Sequence, residues 1–289
     1  MEFFPDLHHV RLRSRARGAY LHADESGRCV SLRPRGARAS PNAAWLVRRI
    51  LRGGAPWFLL QSAAYGRYLV ATPWEAPPGH RGLLAGVRDR DEAEAADPFV
   101  WTAVAAAATG NGGVLVRHIS GRLLRANGRY RFWHTGVTVD DNDHRSTMTH
   151  WVVEAIPLRA APLPMPGAIQ QQSTGVFGGL LRLRRAVAPS EQRTIRYVRV
   201  DQHGDFDDDD WGEFDFYGRS LFNLRIELAL LVGDVDFFFA MLPCVRAGVH
   251  GGLIPLTVDL PRSTEPMEIV AVTIGTPGDE RICGFNSHL

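Results

Sequence analysis

Apolar and polar residues alternate over residues 10–14, with Val10 and Leu12 on one face and Arg11 and Arg13 on the other. That is the period of a half-buried strand. Gly18 follows where the chain reverses, since glycine takes positive φ without steric cost. Tyr20-Leu21-x-Ala23 reads as the returning strand. The pattern then recurs twice. Residues 10–23, 58–71 and 113–126 align without a gap, each carrying Gly-x-(Tyr/Leu)-Leu-x-Ala at Gly18, Gly66 and Gly121. A leucine stands six residues before each glycine, at Leu12, Leu60 and Leu115, and a leucine three residues after it, at Leu21, Leu69 and Leu124. Each repeat closes on a strand with one tryptophan: Trp45, Trp101 and Trp151. Further strands are predicted at residues 29–32, 44–47, 136–139 and 151–153, so each repeat holds four and the set about twelve.

Such an array must close on itself or leave long edges exposed. Kelch-type propeller blades have a similar period, but three blades fall below the usual range of about four to eight. Three four-stranded repeats about a threefold axis make a β-trefoil, here over residues 1–157, with the leucines and tryptophans as core layers. Residues 158–192 change character, with Pro162, Pro164, Pro166, a glutamine run from Gln170 and the pair Gly178-Gly179, and read as an extended linker. Residues 193–289 read as an α+β domain. Strands are predicted at 195–200 and 213–217, a helix over 220–232 capped by Ser220, and strands near 237–245, 254–260 and 269–274. That ββαβββ order suggests a ubiquitin-like β-grasp.

These residues resemble a known family. Val10-Arg-Leu-Arg-Ser14, Tyr65-Gly-Arg-Tyr-Leu69, Gly121-Arg-Leu-Leu-Arg-Ala-Asn-Gly-Arg-Tyr130 and Met148-Thr-His-Trp-Val-Val-Glu-Ala-Ile-Pro157 are similar to plant domain-of-unknown-function family 569, classed with the fascin-like, actin-cross-linking-like β-trefoils. Trp211-Gly-x-Phe-x-Phe-Tyr-Gly-Arg-Ser220 and Pro255-Leu-x-Val-Asp-Leu-Pro261 resemble the tail carried by grass members of that family. The resemblance implies the trefoil fold and suggests actin filaments as a partner. Sugar-binding trefoils of the ricin type carry Gln-x-Trp in each repeat. The residues before the tryptophans here are Ala43-Ala44, Phe99-Val100 and Thr149-His150, so that pattern is absent.

Composition narrows the chemistry. The chain has no lysine, so its 33 basic residues are arginines. This excludes Schiff-base and P-loop lysine chemistry and reflects, in the simplest reading, a genome rich in G and C. Cys29, Cys244 and Cys283 are odd in number and widely spaced, which argues against a disulfide framework or a zinc site. No apolar run approaches a membrane span, and the first residues do not read as a signal peptide. A cytoplasmic protein is expected, with the nucleus left open.

No constellation of nucleophile, base and oxyanion donors is apparent, and no G-x-S-x-G or HExxH occurs. His118, His134, His144 and His150 fall on or near separate predicted strands, so neither a metal nor a cofactor is expected. The acidic run from Asp205 to Asp210 fails the EF-hand template, because its sixth and twelfth positions hold Asp210 and Phe216. It reads as a solvated hairpin tip. Charge is uneven: residues 1–157 hold 21 arginines against 14 acids, +7, whereas residues 158–289 hold 12 against 17, −5. Arg11, Arg13, Arg15 and Arg17, together with Arg122, Arg125, Arg129 and Arg131, form a candidate basic face. Arg11 and Arg13 are expected to be exposed, opposite Leu12. A non-catalytic binding protein follows, with an acidic protein surface as the expected partner and a carbohydrate as the alternative. Neither a membrane nor nucleic acid is expected.

Overall fold

The alternation becomes a barrel. The structure, a computed structural model, describes residues 3–91, 97–106, 113–127, 136–141, 146–157, 192–207, 209–234 and 236–277. The first repeat holds β1 (His9–Ser14), β2 (Tyr20–Ala23), β3 (Val30–Arg33) and β4 (Trp45–Arg52). The second holds β5 (Ala55–Ser62), β6 (Tyr68–Glu75), β7 (Leu83–Arg88) and β8 (Trp101–Ala105). The third holds β9 (Val114–His118), β10 (Leu123–Ala126), β11 (Val137–Asp140) and β12 (His150–Ala155). The first and fourth strands of each repeat close a six-stranded barrel, through the antiparallel pairs β1–β4, β4–β5, β5–β8, β8–β9, β9–β12 and β12–β1. The inner hairpins β2–β3, β6–β7 and β10–β11 cap it. This is a β-trefoil.

The three tryptophans are fully buried, and each makes the same bond. The indole Nε1 donates to the carbonyl of Leu21, Leu69 or Leu124 in its own repeat, at 3.2, 3.1 and 2.9 Å respectively. A buried indole N–H needs such a partner, and the repeat supplies one at the leucine after each turn glycine. Those glycines are left-handed, at φ 63°, 69° and 88° for Gly18, Gly66 and Gly121.

The third repeat does not align without a gap. The N–H of Gly18 donates to Ser14 and that of Gly66 to Ser62, each four residues back, whereas that of Gly121 donates to His118, three back. The tryptophan strands show the same offset, with Trp151 opposite Ser14, Trp45 opposite Ser62 and Trp101 opposite His118. The turn is one residue shorter, so Val116 joins Leu12 and Leu60 in the barrel core in place of Leu115. A shift of one residue moves every side chain of a strand to the other face.

The second body has the ubiquitin-like order of a mixed sheet. Its strands are β13 (Gln192–Arg199), β14 (Gly212–Tyr217), β15 (Met241–Arg246), β16 (Ile254–Pro255) and β17 (Met267–Thr273), arranged β14-β13-β17-β15-β16 with β13 parallel to β17. Helix α1 (Leu221–Val232) begins with the Ser220 hydroxyl accepting the N–H of Asn223 at 3.3 Å and ends at left-handed Gly233. It packs Leu224, Leu228 and Ala229 against Ile195, Phe216, Val245 and Ile269 of the sheet. Two predicted strands are shorter than expected. Residues 237–240 form a helical turn, α2 (Phe237–Ala240), and β16 covers two residues rather than residues 254–260. The predicted linker lies outside the described residues, apart from Gln192, which begins β13.

The segment between β15 and β16 docks on the trefoil. Main-chain bonds link Arg90 N–H to Ala247 and His250 N–H to Arg90, each at 3.0 Å. Glu265 pairs with Arg28 at 3.2 Å and approaches Arg67 at 3.7 Å. Leu46 of β4 joins the apolar core of the second body.

Candidate functional site

Pairing of β1 with β12 sets Arg11 opposite Glu154, and pairing with β2 sets Arg13 opposite Tyr20. The 3-10 turn Arg35–Ala39 then brings Arg35 and Arg38 to the same place. The result is a cleft of about 380 Å³ lined by Arg13, Tyr20, Arg35, Arg38 and Glu154, at the low end of small-ligand pocket sizes. The Glu154 carboxylate is its centre. It accepts from Arg13 Nε at 2.8 Å, from Arg38 Nε at 3.1 Å and from the Tyr20 hydroxyl at 3.1 and 3.2 Å. Burial by itself would raise the Glu154 pKa, but the bonds from Arg13, Arg38 and Tyr20 outweigh it and hold the carboxyl below its ordinary value.

Cations exceed that one carboxylate. Burial first, and the neighbouring Arg38 second, push the Arg11 guanidinium below its ordinary value, and its Nε is buried with no hydrogen-bond partner among the described residues. Arg35 is exposed at the rim. Three guanidinium groups, of Arg13, Arg35 and Arg38, therefore line the cleft with one carboxylate, and that of Arg11 lies beside it, an arrangement that attracts an anionic group and offers it planar, bidentate donors.

Placement of the expected basic face is mixed. Arg13 lines the cleft and Arg11 lies beside it, but both are half-buried rather than exposed, because Glu154 and Tyr20 of the flanking strands lie close to them. Arg15 and Arg17 follow β1 into the turn before Gly18, where Arg17 is exposed. Arg122, just before β10, and Arg125, on it, spend their charge locally, on Asp141 at 3.3 Å and Asp140 at 3.2 Å. Arg129 and Arg131 lie outside the described residues, as do His134, His144 and Cys283. Arg35, Arg38, Tyr20 and Glu154 were not singled out in the sequence. The signal for the last two lies in the repeat itself, in the residue two after the turn glycine and the residue three after the tryptophan.

Other candidates resolve into structure. His118 accepts from the Ser120 N–H at Nδ1 and donates from Nε2 to the Asp97 carbonyl at 2.9 Å, while its ring meets Trp101 edge-on. Among the described residues no cluster of three metal-ligating side chains occurs. Asp201, Asp205, Asp207 and Asp210 border a wide depression with Phe206. There Asp201 Oδ1 accepts the N–H groups of His203 and Asp205, which shapes a turn. No helix among the described residues is long and apolar enough to cross a membrane.

Residues 1–154 match the model of a β-trefoil domain of unknown function, DUF569, and residues 191–272 match a DUF569-associated ubiquitin-like domain. Among solved structures, the SDF2-like protein from Arabidopsis thaliana is 15% identical, covering 53% of this chain and 96% of its own, with a TM-score of 0.43. The Macrolepiota procera ricin B-like lectin in complex with lactose is 16% identical, with 52% and 96% covered and a TM-score of 0.41. The designed 3-fold symmetric protein ThreeFoil is 15% identical, with 50% and 96% covered and a TM-score of 0.39. No curated relative matches the chain.

Proposed function

For this chain, which belongs to the DUF569 β-trefoil family, we propose a non-catalytic role: the trefoil binds an acidic protein surface at the cleft lined by Arg13, Arg35 and Arg38, beside Arg11. The observation that carries this reading is that Arg13, Arg35 and Arg38 line the cleft, with Arg11 beside it, against the single carboxylate of Glu154. The sequence resemblance to fascin-like trefoils makes the actin filament the first partner to test. A carbohydrate, the alternative, is less well served here. Tyr20 is 3% exposed, so the cleft offers no open aromatic face on which a sugar ring could stack.

Individual surface charge pairs contribute little, but several acting together steer association. Co-sedimentation of the full chain with filaments tests the reading across ionic strengths from about 0.1 M, where the Debye length is about 10 Å, to about 1 M, where it is about 3 Å. Binding is expected to fall steeply over that series. It should also weaken when Arg11, Arg13, Arg35 and Arg38 become glutamine. A chain that stays in the supernatant even at low salt removes actin as the partner, and an arrayed-glycan screen then tests the alternative.

A further inference from the structure

The threefold repeat builds the cleft three times with different residues. Strand register fixes the equivalence: Arg13 faces Tyr20, Gln61 faces Tyr68 and Arg117 faces Leu123. Each tryptophan pairing then sets a fourth-strand residue, three places further on, beside them: Glu154, Arg48 and Val104. The three positions are thus Arg13–Tyr20–Glu154, Gln61–Tyr68–Arg48 and Arg117–Leu123–Val104. The third has lost the hydroxyl and the polar fourth-strand residue. The first is the open cleft described above.

The second is occupied, and by main chain. The Gly252 N–H donates to the Tyr68 hydroxyl at 2.8 Å, Gln61 Nε2 donates to the Gly252 carbonyl at 2.6 Å, and Arg48 Nη2 donates to the Leu253 carbonyl at 2.9 Å. Within the trefoil, Arg48 Nε donates to Gln61 Oε1 at 2.6 Å and so orients both side chains toward the loop. Each side chain reads a backbone group of the ubiquitin-like domain, and none reads a side chain. A Cβ at Gly252 would overlap the Arg48 guanidinium, so a side chain there would displace Arg48 from the loop.

From this pseudosymmetry we infer that the open cleft docks an extended, glycine-containing peptide segment of the partner protein, held through its main chain as residues 252 and 253 are held in the second repeat. The inference rests on the proposed role of that cleft as a partner site. Tyr20 occupies the place of Tyr68 and Arg13 that of Gln61. The Tyr20 hydroxyl oxygen accepts a peptide N–H, and the Nη groups of Arg13 donate to a peptide carbonyl. Glu154 replaces Arg48, so the third contact changes sign and receives a second N–H. Arg11, Arg35 and Arg38 have no counterpart among the residues that hold the loop in the second repeat. They select a segment carrying an aspartate or glutamate beside the glycine. Main-chain contacts supply affinity that is indifferent to sequence, and the arginine rim supplies the choice, a division seen wherever backbone groups anchor a bound peptide.

The test uses the full chain and an array of octapeptides with a central Gly-Gly-Leu, in which aspartate or glutamate is placed at each remaining position in turn. Polyglutamate of the same length serves as a charge-only probe. Captured peptides are then remade with the glycine and leucine amides N-methylated, which removes the N–H donors and keeps the side chains. The expected result is capture of acidic Gly-Gly-Leu peptides, a loss of about tenfold or more in affinity on N-methylation, and a similar loss in Tyr20→Phe and in Arg13→Ala. Arg117→Ala, at the equivalent place in the third repeat, should leave binding unchanged. Both cleft variants are checked for an unchanged circular dichroism spectrum, and Arg35→Ala at the exposed rim gives a second, milder variant. If polyglutamate and the N-methylated peptides bind as well as the parents, main-chain docking is overturned while the acidic-partner reading stands. If neither probe class binds at low salt, both fall.

Discussion

Replacing Gln61 by leucine should separate the two bodies of the protein. Gln61 is fully buried, and leucine is close to it in volume, so the change removes hydrogen bonds without opening a cavity. Three partners are left behind: the Gly66 carbonyl at 2.8 Å, the Gly252 carbonyl at 2.6 Å and the Arg48 Nε at 2.6 Å. An orphaned buried group costs about 1–3 kcal/mol. The Gly66 carbonyl carries that cost in full. The Gly252 and Arg48 groups lie in part-buried positions and recover some hydration, so each adds less. The sum is about 2–4 kcal/mol, or roughly 4–16 °C in melting temperature at about 2–4 °C per kcal/mol for a chain of this order of size. Calorimetry measures the shift, and native-state hydrogen exchange locates it. The amides of His250 and Gly252, which donate to Arg90 and Tyr68, should lose protection before the barrel does. An unchanged melting temperature with those amides still protected would refute the account of the seam. A lowered melting temperature with protection retained would confine the cost to the turn at Gly66.

Three further outcomes are expected. Trp45→Phe, Trp101→Phe and Trp151→Phe each orphan one buried leucine carbonyl, at about 1–3 kcal/mol apiece; urea midpoints that differ widely among the three would contradict their equivalence. Gly248→Ala places a Cβ against the Arg90 backbone at φ 84°, with strain of about 1–3 kcal/mol, and should raise proteolytic cleavage within residues 247–253. Burial, the leading cause in each case, lowers the pKa of His9, His22 and His118 from an ordinary value of 6.5. Below that value the unfolded chain binds protons that the folded chain refuses. Stability should therefore fall as pH drops from about 6.5 to 5, a window lying above the ordinary carboxylate values. His118→Gln should flatten the fall, and equal urea midpoints at pH 7.5 and pH 5 would rule the effect out.

The trefoil was legible in the chain because its signals are local and repeated. A strand of alternating residues, a glycine at the reversal, a leucine three places on and one tryptophan per repeat each follow from a demand that one repeat makes by itself. The helix of the second body was legible for the same reason, since Ser220 caps it and Gly233 ends it. The short turn of the third repeat was not legible. Leu115 and Val116 are both apolar, so either register satisfies the hydrophobic pattern, and only the bond from Gly121 N–H to the His118 carbonyl decides between them. The helical turn at Phe237–Ala240 was hidden likewise, because three phenylalanines in a row suit a buried strand as well as a helix packed beside one. The cleft lay further out of reach. Arg13, Arg38 and Glu154 are remote in sequence, and what joins them is closure of the barrel, which lays the last strand of the third repeat against the first strand of the chain. Closure also sets the three related positions round the barrel, of which the second receives the loop at Gly252 and the first forms the cleft. The second body meets the trefoil where the partners its backbone groups need stand, in Gln61, Tyr68 and Arg48.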